Sequence, residues 1–261
     1  MPENTLSAMR NALEMPEIGT LEFDLQVSSD GKVVVSHDRY FHPRYSTRPD
    51  GTPVEPGDPK EYLYTMPYDS IAKYDVGLKY TSVWPDQKKL AETKPLAGDV
   101  IDFAEEYCRT TGRKPVGYNI EIKSVKGKGE GTLWPGYEEF CDTCIPLLLS
   151  KNLGKRLIVQ SFDVRSLEYI HSKYPEVVLS YLTDEDEPEI EAILSNLTFK
   201  PEWWSPHHSV VTSDNVKYCH KRGIKVVPWT VDEPDEIRRM AECGVDAIIS
   251  NYPDRLVEVL R

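Results

Sequence analysis

No apolar run in this 261-residue chain approaches the roughly 18 residues that a membrane span requires. The first residues also lack the basic, apolar and small-residue succession of a secretory leader. The chain as given therefore reads as soluble and cytoplasmic, and as periplasmic or secreted only if a leader precedes it. Positive charge is scarce: 31 Lys and Arg against 43 Asp and Glu leave a formal net charge of −12. Such a balance opposes nucleic-acid backbones and anionic membrane surfaces, which are held by Lys and Arg, but it does not oppose metal cations. Cysteine is sparse and odd in number, and Cys108, Cys141, Cys144, Cys219 and Cys243 are too scattered for a disulfide framework. Cys141 and Cys144 form a C-x-x-C, yet they lie in the helical pattern "GYEEFCDTCIPLLLS" with no second pair nearby to complete a zinc site. Buried free thiols are the expectation.

What the chain does contain is a succession of short Val- and Ile-rich runs separated by helix-period segments, the signature of repeated βα units. The runs are "TLEFDLQV" (20–27), "PVGYNIEIK" (115–123), "RLIVQSF" (156–162), "EVVLSYL" (176–182), "EWWSP" (202–206), "IKVVPWTV" (224–231) and "VDAIISN" (245–251). Between them lie "LAGDVIDFAEEYCRTTG", "VRSLEYIHSKYP", "PEIEAILSNL", "SDNVKYCHKRG" and "EPDEIRRMAECG", several opening on a Ser or Asp cap and closing at Gly. A parallel series of this length closes most economically into a (β/α)8 TIM barrel, with an open doubly wound sheet as the alternative. Seven strands are one short of closure, and the chain opens directly on a helical pattern, "MPENTLSAMRNALEM", capped at Asn4-Thr5. The first strand is therefore expected to be missing from this chain.

Residues 39–95 break the rhythm with eight prolines and many Tyr and Asp. A structureless loop of that length is unusual in a compact domain, so a small insertion over one face of a single barrel domain is expected.

Side chains alternate along "LEFDLQV", so Glu22, Asp24 and Gln26 share one face. Two acids on one strand face, about 7 Å apart at Cα, repel if buried unless a cation sits between them. Taken alone, an E-x-D is more simply the wet side of an antiparallel strand. Asp30-Gly31 shifts that balance, because this turn signal can fold His37 back beside the acids as a general acid or base. In "YNIEIKS", Glu121 and Lys123 share a face with Asn119, either as an internal ion pair or as a third carboxylate with a cation beside it for an anionic substrate. Glu22, Asp24 and Glu121 together could bind one hard divalent cation, Ca2+ or Mg2+.

Several stretches, "PENTLSAMRNAL", "TLEFDLQVSSDGKVVVSHD", "NIEIK", "QSFD" (160–163), "PWTVD" (228–232) and "GVDAIISNYPDRL" (244–256), occur in the same order in a known family. Over nearly its whole length the chain resembles the glycerophosphodiester phosphodiesterases. The resemblance implies a metal-dependent barrel enzyme hydrolysing small-molecule glycerophosphodiesters, such as glycerophosphocholine or glycerophosphoethanolamine, to sn-glycerol 3-phosphate and an alcohol. It implies that Glu22, Asp24 and Glu121 hold the cation, that His37 is catalytic, that Lys123 contacts phosphate and that Trp229 lines the substrate pocket. The family's His-Arg-Gly strand, which precedes "PENT", has no counterpart in this chain. That departure leaves a second reading, a catalytically silent barrel that binds a ligand or partner. It also leaves a strand edge across which a homo-oligomer could form. A sugar-phosphate isomerase or aldolase would want a phosphate-gripping Gly loop late in the barrel, which "WTVDEPDE" and "SNYPDRL" do not supply. "KGKGEGT" (126–132) lacks the GK[ST] ending of a phosphate-binding loop, and His207-His208 read as a polar loop.

Overall fold

The computed structural model describes residues 1–79, 82–184 and 190–261. Among the described residues the strands are β1 (Thr20–Val27), β2 (Val33–Val35), β3 (Gly117–Ile122), β4 (Leu157–Ser161), β5 (Val178–Thr183), β6 (Trp203–Pro206) and β7 (Lys225–Val226). The helices are α1 (Leu6–Leu13), α2 (Tyr68–Ile71), α3 (Ala97–Thr111), α4 (Tyr137–Ser150), α5 (Val164–Lys173), α6 (Ile190–Leu194), α7 (Ser213–Lys221), α8 (Pro234–Cys243) and α9 (Pro253–Leu260). The sheet runs β2-β1-β3-β4-β5-β6-β7, antiparallel only between β1 and β2 and parallel elsewhere. This is the βα succession that the sequence predicts, curved in the manner of a TIM barrel.

Local chemistry sets the boundaries. Thr5 caps α1 by accepting from the Ala8 N–H, an interaction of about 1 kcal/mol. Asp163 caps α5 and Thr212 closes a capping box on α7. Helices α3 and α8 end at Gly112 and Gly244, both left-handed, as a residue without Cβ permits. The predicted helix over "PEIEAILSNL" is seen as α6, while its residues 188–189 lie outside the described residues.

Two predicted strands are shorter than expected. The run 224–231 gives only the two residues of β7, and 245–251 is not a strand. The latter is nevertheless extended beside β7: Asp246 N–H donates to Val226 O, Ile249 N–H to Pro228 O and Val231 N–H to Ile249 O. Pro228 has no N–H to return to this ladder, and the other side of 245–251 lines a cavity, so among the described residues the segment is bonded along one edge.

Apolar faces of the strands pack beneath the helices, with Phe23, Leu25, Ile120, Ile122, Val159 and Trp204 essentially inaccessible. The cysteines are free, and all but Cys243 are buried there. Residues of the 39–95 stretch gather a smaller separate core, in which Phe41, Leu63, Ile71 and Tyr74 meet Val34 of β2. Among the described residues no helix is long and apolar enough to cross a membrane.

Candidate active site

The register of β1 on β3 sets Glu22 opposite Asn119 and Asp24 opposite Glu121. The next register sets Glu121 opposite Gln160 of β4. Because alternate residues point the same way, Glu22, Asp24, Asn119, Glu121 and Gln160 all project into the barrel interior. One oxygen from each of Glu22, Asp24 and Glu121 lies within 4.8 Å of the others, so the three acids proposed from sequence do converge. Their donor set is three hard carboxylates in a site where Asp24 and Glu121 are 5% and 6% exposed, which fits a hard divalent cation.

Each acid is held by a neighbouring polar side chain. Gln160 Nε2 donates to Glu22 Oε1 at 2.8 Å, and Gln160 Oε1 accepts from Asn119 Nδ2 at 2.9 Å. Asn4 clasps Asp24 twice, its Nδ2 donating to Oδ2 at 2.9 Å and its Oδ1 accepting from the Asp24 N–H at 3.1 Å. Asn4 sits at φ +55, a left-handed conformation that Asn tolerates better than most residues. Lys123 Nζ lies 2.9 Å from Glu121 Oε2 and 3.2 Å from Asp24 Oδ1. Lys123 thus pairs with two of the candidate ligands.

The charges divide unequally among these groups. Burial, with Asp24 and Glu121 close by, raises Glu22 well above the usual carboxylate range. Burial also pushes Glu121 up to about 7, against the pull of Lys123. Burial would raise Asp24 too, but Lys123, His37 and the Asn4 hydrogen bond outweigh it and hold Asp24 low. Burial opposes the charge of Lys123, and the neighbouring Asp24 and Glu121 more than restore it. Burial and mutual repulsion thus raise Glu22 and Glu121, while Asp24 alone is lowered.

The hairpin does return His37 to this face. Leu25 pairs with Val35, and the Ser36 N–H donates to Asp24 O at 2.9 Å. His37 Nδ1 faces Asp38 Oδ1 at 3.4 Å, and Asp38 Oδ2 accepts from the Tyr45 hydroxyl at 2.8 Å. The Asp38 contact raises the pKa of His37, whose side chain is 56% exposed, against a partial loss of solvent. Burial acts to raise Asp38, yet His37 and Tyr45 hold it far below its ordinary value.

Glu22, Asp24, His37, Glu121, Lys123 and Trp229 line one cavity of about 1260 Å3, which runs on between β1 and the 245–251 segment towards α1 and α9. Trp229 stands edge-on between Phe162 and His207, at 5.4 Å and 5.3 Å, and donates from Nε1 to Ser205 O. His208 instead turns to Glu236. The loop 126–132 folds onto Trp134, with Glu130 paired to Arg165 of α5. Sequence reasoning missed Asn4, Gln160 and Phe162 as parts of the site. Gln160 had a usable signal, a lone amide in the apolar run "LIVQS" on the face shared with Ile158.

With this geometry in place, the chain can be compared with known proteins. Residues 1–255 match the model of the glycerophosphoryl diester phosphodiesterase family. The chain is 30% identical over its full length to a glycerophosphodiester phosphodiesterase of Caldanaerobacter subterraneus, covering 93% of that protein. It is 26% identical to one from Bacillus subtilis, over 97% of this chain and 80% of that protein. Among solved structures, a Silicibacter pomeroyi protein assigned to the same activity superposes with a TM-score of 0.86 at 26% identity, covering all of this chain and 88% of that one. An Oleispira antarctica phosphodiesterase, solved with its product sn-glycerol-3-phosphate, gives a TM-score of 0.76 at 23% identity over 99% and 91% of the two chains.

Proposed function

Because the chain belongs to the glycerophosphoryl diester phosphodiesterase family, we propose that its cavity hydrolyses glycerophosphodiesters to sn-glycerol 3-phosphate and an alcohol, using one divalent cation, Ca2+ or Mg2+. The supporting observation is the convergence of three ligand oxygens within 4.8 Å beside a lysine and a histidine on the same cavity wall.

Glu22, Asp24 and Glu121 are the residues that would hold the cation, with Gln160 and Asn4 fixing the first two. When bound, the cation supplies charge that offsets the phosphoryl oxygens and polarises the phosphorus towards attack. Lys123 adds a second positive charge at the same wall, and its pairing with Asp24 and Glu121 keeps it protonated for that task. His37 transfers a proton: with Nδ1 turned to Asp38, Nε2 is the nitrogen that exchanges it with the attacking or leaving oxygen. Trp229 and Phe162 give the organic part of the diester an apolar wall. Residues 39–95, inserted into one barrel unit, brace the His37 side of the cavity through Tyr45.

The test is Asp24→Ala. Turnover of glycerophosphocholine and glycerophosphoethanolamine should be lost together with calorimetrically measured binding of Ca2+ and Mg2+. Full cation-dependent turnover by this variant would show the site assignment to be wrong.

A further inference from the structure

Lys94 lies just ahead of α3, and at 4% exposure it is a charged side chain taken almost wholly out of water. Burying an ammonium is costly, and nothing in the proposed chemistry uses this one. Its Nζ donates to Ser36 Oγ at 2.7 Å, and Ser36 Oγ donates to the Asp38 carbonyl at 2.7 Å. The direction of this relay is forced. An ammonium can only donate, so Ser36 must accept from it, and the single hydroxyl proton is left for Asp38. The same ammonium lies over the rings of Phe41 and Tyr45 at 5.6 Å and 5.3 Å. Tyr45 in turn donates to the Asp38 carboxylate. Lys94 therefore reaches both the backbone and, through Tyr45, the side chain of the residue that orients His37.

We propose that Lys94 is a positioning residue for His37, acting through Ser36 and Asp38. The proposal rests on the reading of His37 as the proton-transfer group. Several charged groups face this corner: Asp38, Glu3 and Asp24 act on Lys94, and Asp38, Lys123 and Asp24 act on His37. Burial brings Lys94 down to about 8 against the pull of those acids.

A purely structural role and a positioning role differ in outcome. Removing the buried ammonium costs stability under either role, because Asp38 and Glu3 lose its charge, whereas only loosening the residue that orients a proton-transfer group slows turnover of the folded protein. The experiment compares Lys94→Met and Ser36→Ala with wild type and His37→Gln, on the full chain at saturating cation. For Lys94→Met the melting midpoint should fall, while KM of the folded variant should stay within about threefold. Its kcat should drop about tenfold or more, a part of what a general acid or base contributes. Ser36→Ala, which keeps the buried ammonium, should show the same split and carries the test if Lys94→Met does not fold. In the His37→Gln background, Lys94→Met should cause no further loss, because coupled residues are not additive. Wild-type kcat in both single variants, or a full additive loss in the double variant, overturns the proposal. Wild-type turnover by His37→Gln would instead remove the reading on which it rests.

Discussion

Gln160 Nε2 donates to Glu22 Oε1 at 2.8 Å, across the 138 positions that separate these residues in the chain. The amide cannot rotate freely to do otherwise, because its oxygen is claimed by Asn119 Nδ2. Glu22 on β1 is thus presented by a relay of two amides, Gln160 on β4 and Asn119 on the intervening β3. Partners of this kind typically change metal affinity by about 10- to 100-fold when removed. Gln160→Leu should accordingly weaken Ca2+ or Mg2+ binding by about that factor, while leaving the melting midpoint of the cation-free protein near wild type. Titration calorimetry reads the first quantity and a thermal melt the second.

Lys123 makes a less intuitive prediction. It neutralises Asp24 and Glu121 from 3.2 Å and 2.9 Å, so it both screens the carboxylates and competes with a cation for them. Lys123→Met should therefore keep or tighten divalent-cation binding and yet reduce kcat/KM by about 100-fold or more, the scale lost with a charge-stabilising group. If cation affinity and turnover fell together, Lys123 would be a scaffold for the ligands rather than a partner of the phosphoryl group.

The hairpin, the alternation that aims Glu22 and Asp24 inward, and the third acid Glu121 were legible because they rest on local periodicities: two for strands and a Gly-bearing turn. Long-range partnerships were not. Asn4 reaches Asp24 from the start of α1, and Gln160 reaches Glu22 over two strand registers that no local pattern encodes. Lys94 is a sharper case. Nothing in "AETKPLAGDV" marks it as buried, and its burial comes from packing against Ser36, Phe41 and Tyr45, which lie far from it in the chain. The two strands read too long, 224–231 and 245–251, fail for a related reason. Their composition favours extension, but strand status needs partners on the ladder, and one side of 245–251 meets the cavity.

The carboxylate cluster also fixes how stability depends on pH. Glu121 is raised from 4.5 to about 7, and Glu22 is raised well above 4.5. An acid with a raised folded value binds more protons in the native state than in the unfolded one, so stability must fall as pH climbs through that interval. Asp24, whose folded value is lowered, contributes the opposite slope, but only at more acidic pH, below its ordinary 3.8. The cation-free protein should therefore lose stability from about pH 4.5 upward, through the titration of Glu121 at about 7 and on through that of Glu22. A saturating divalent cation binds the ionised acids and only the native state, so it should add stability in proportion to occupancy and reverse the slope. Thermal melts across this pH range, with EDTA and with excess Ca2+ or Mg2+, provide the check. Parallel curves with and without the ion would place cation binding away from Glu22, Asp24 and Glu121.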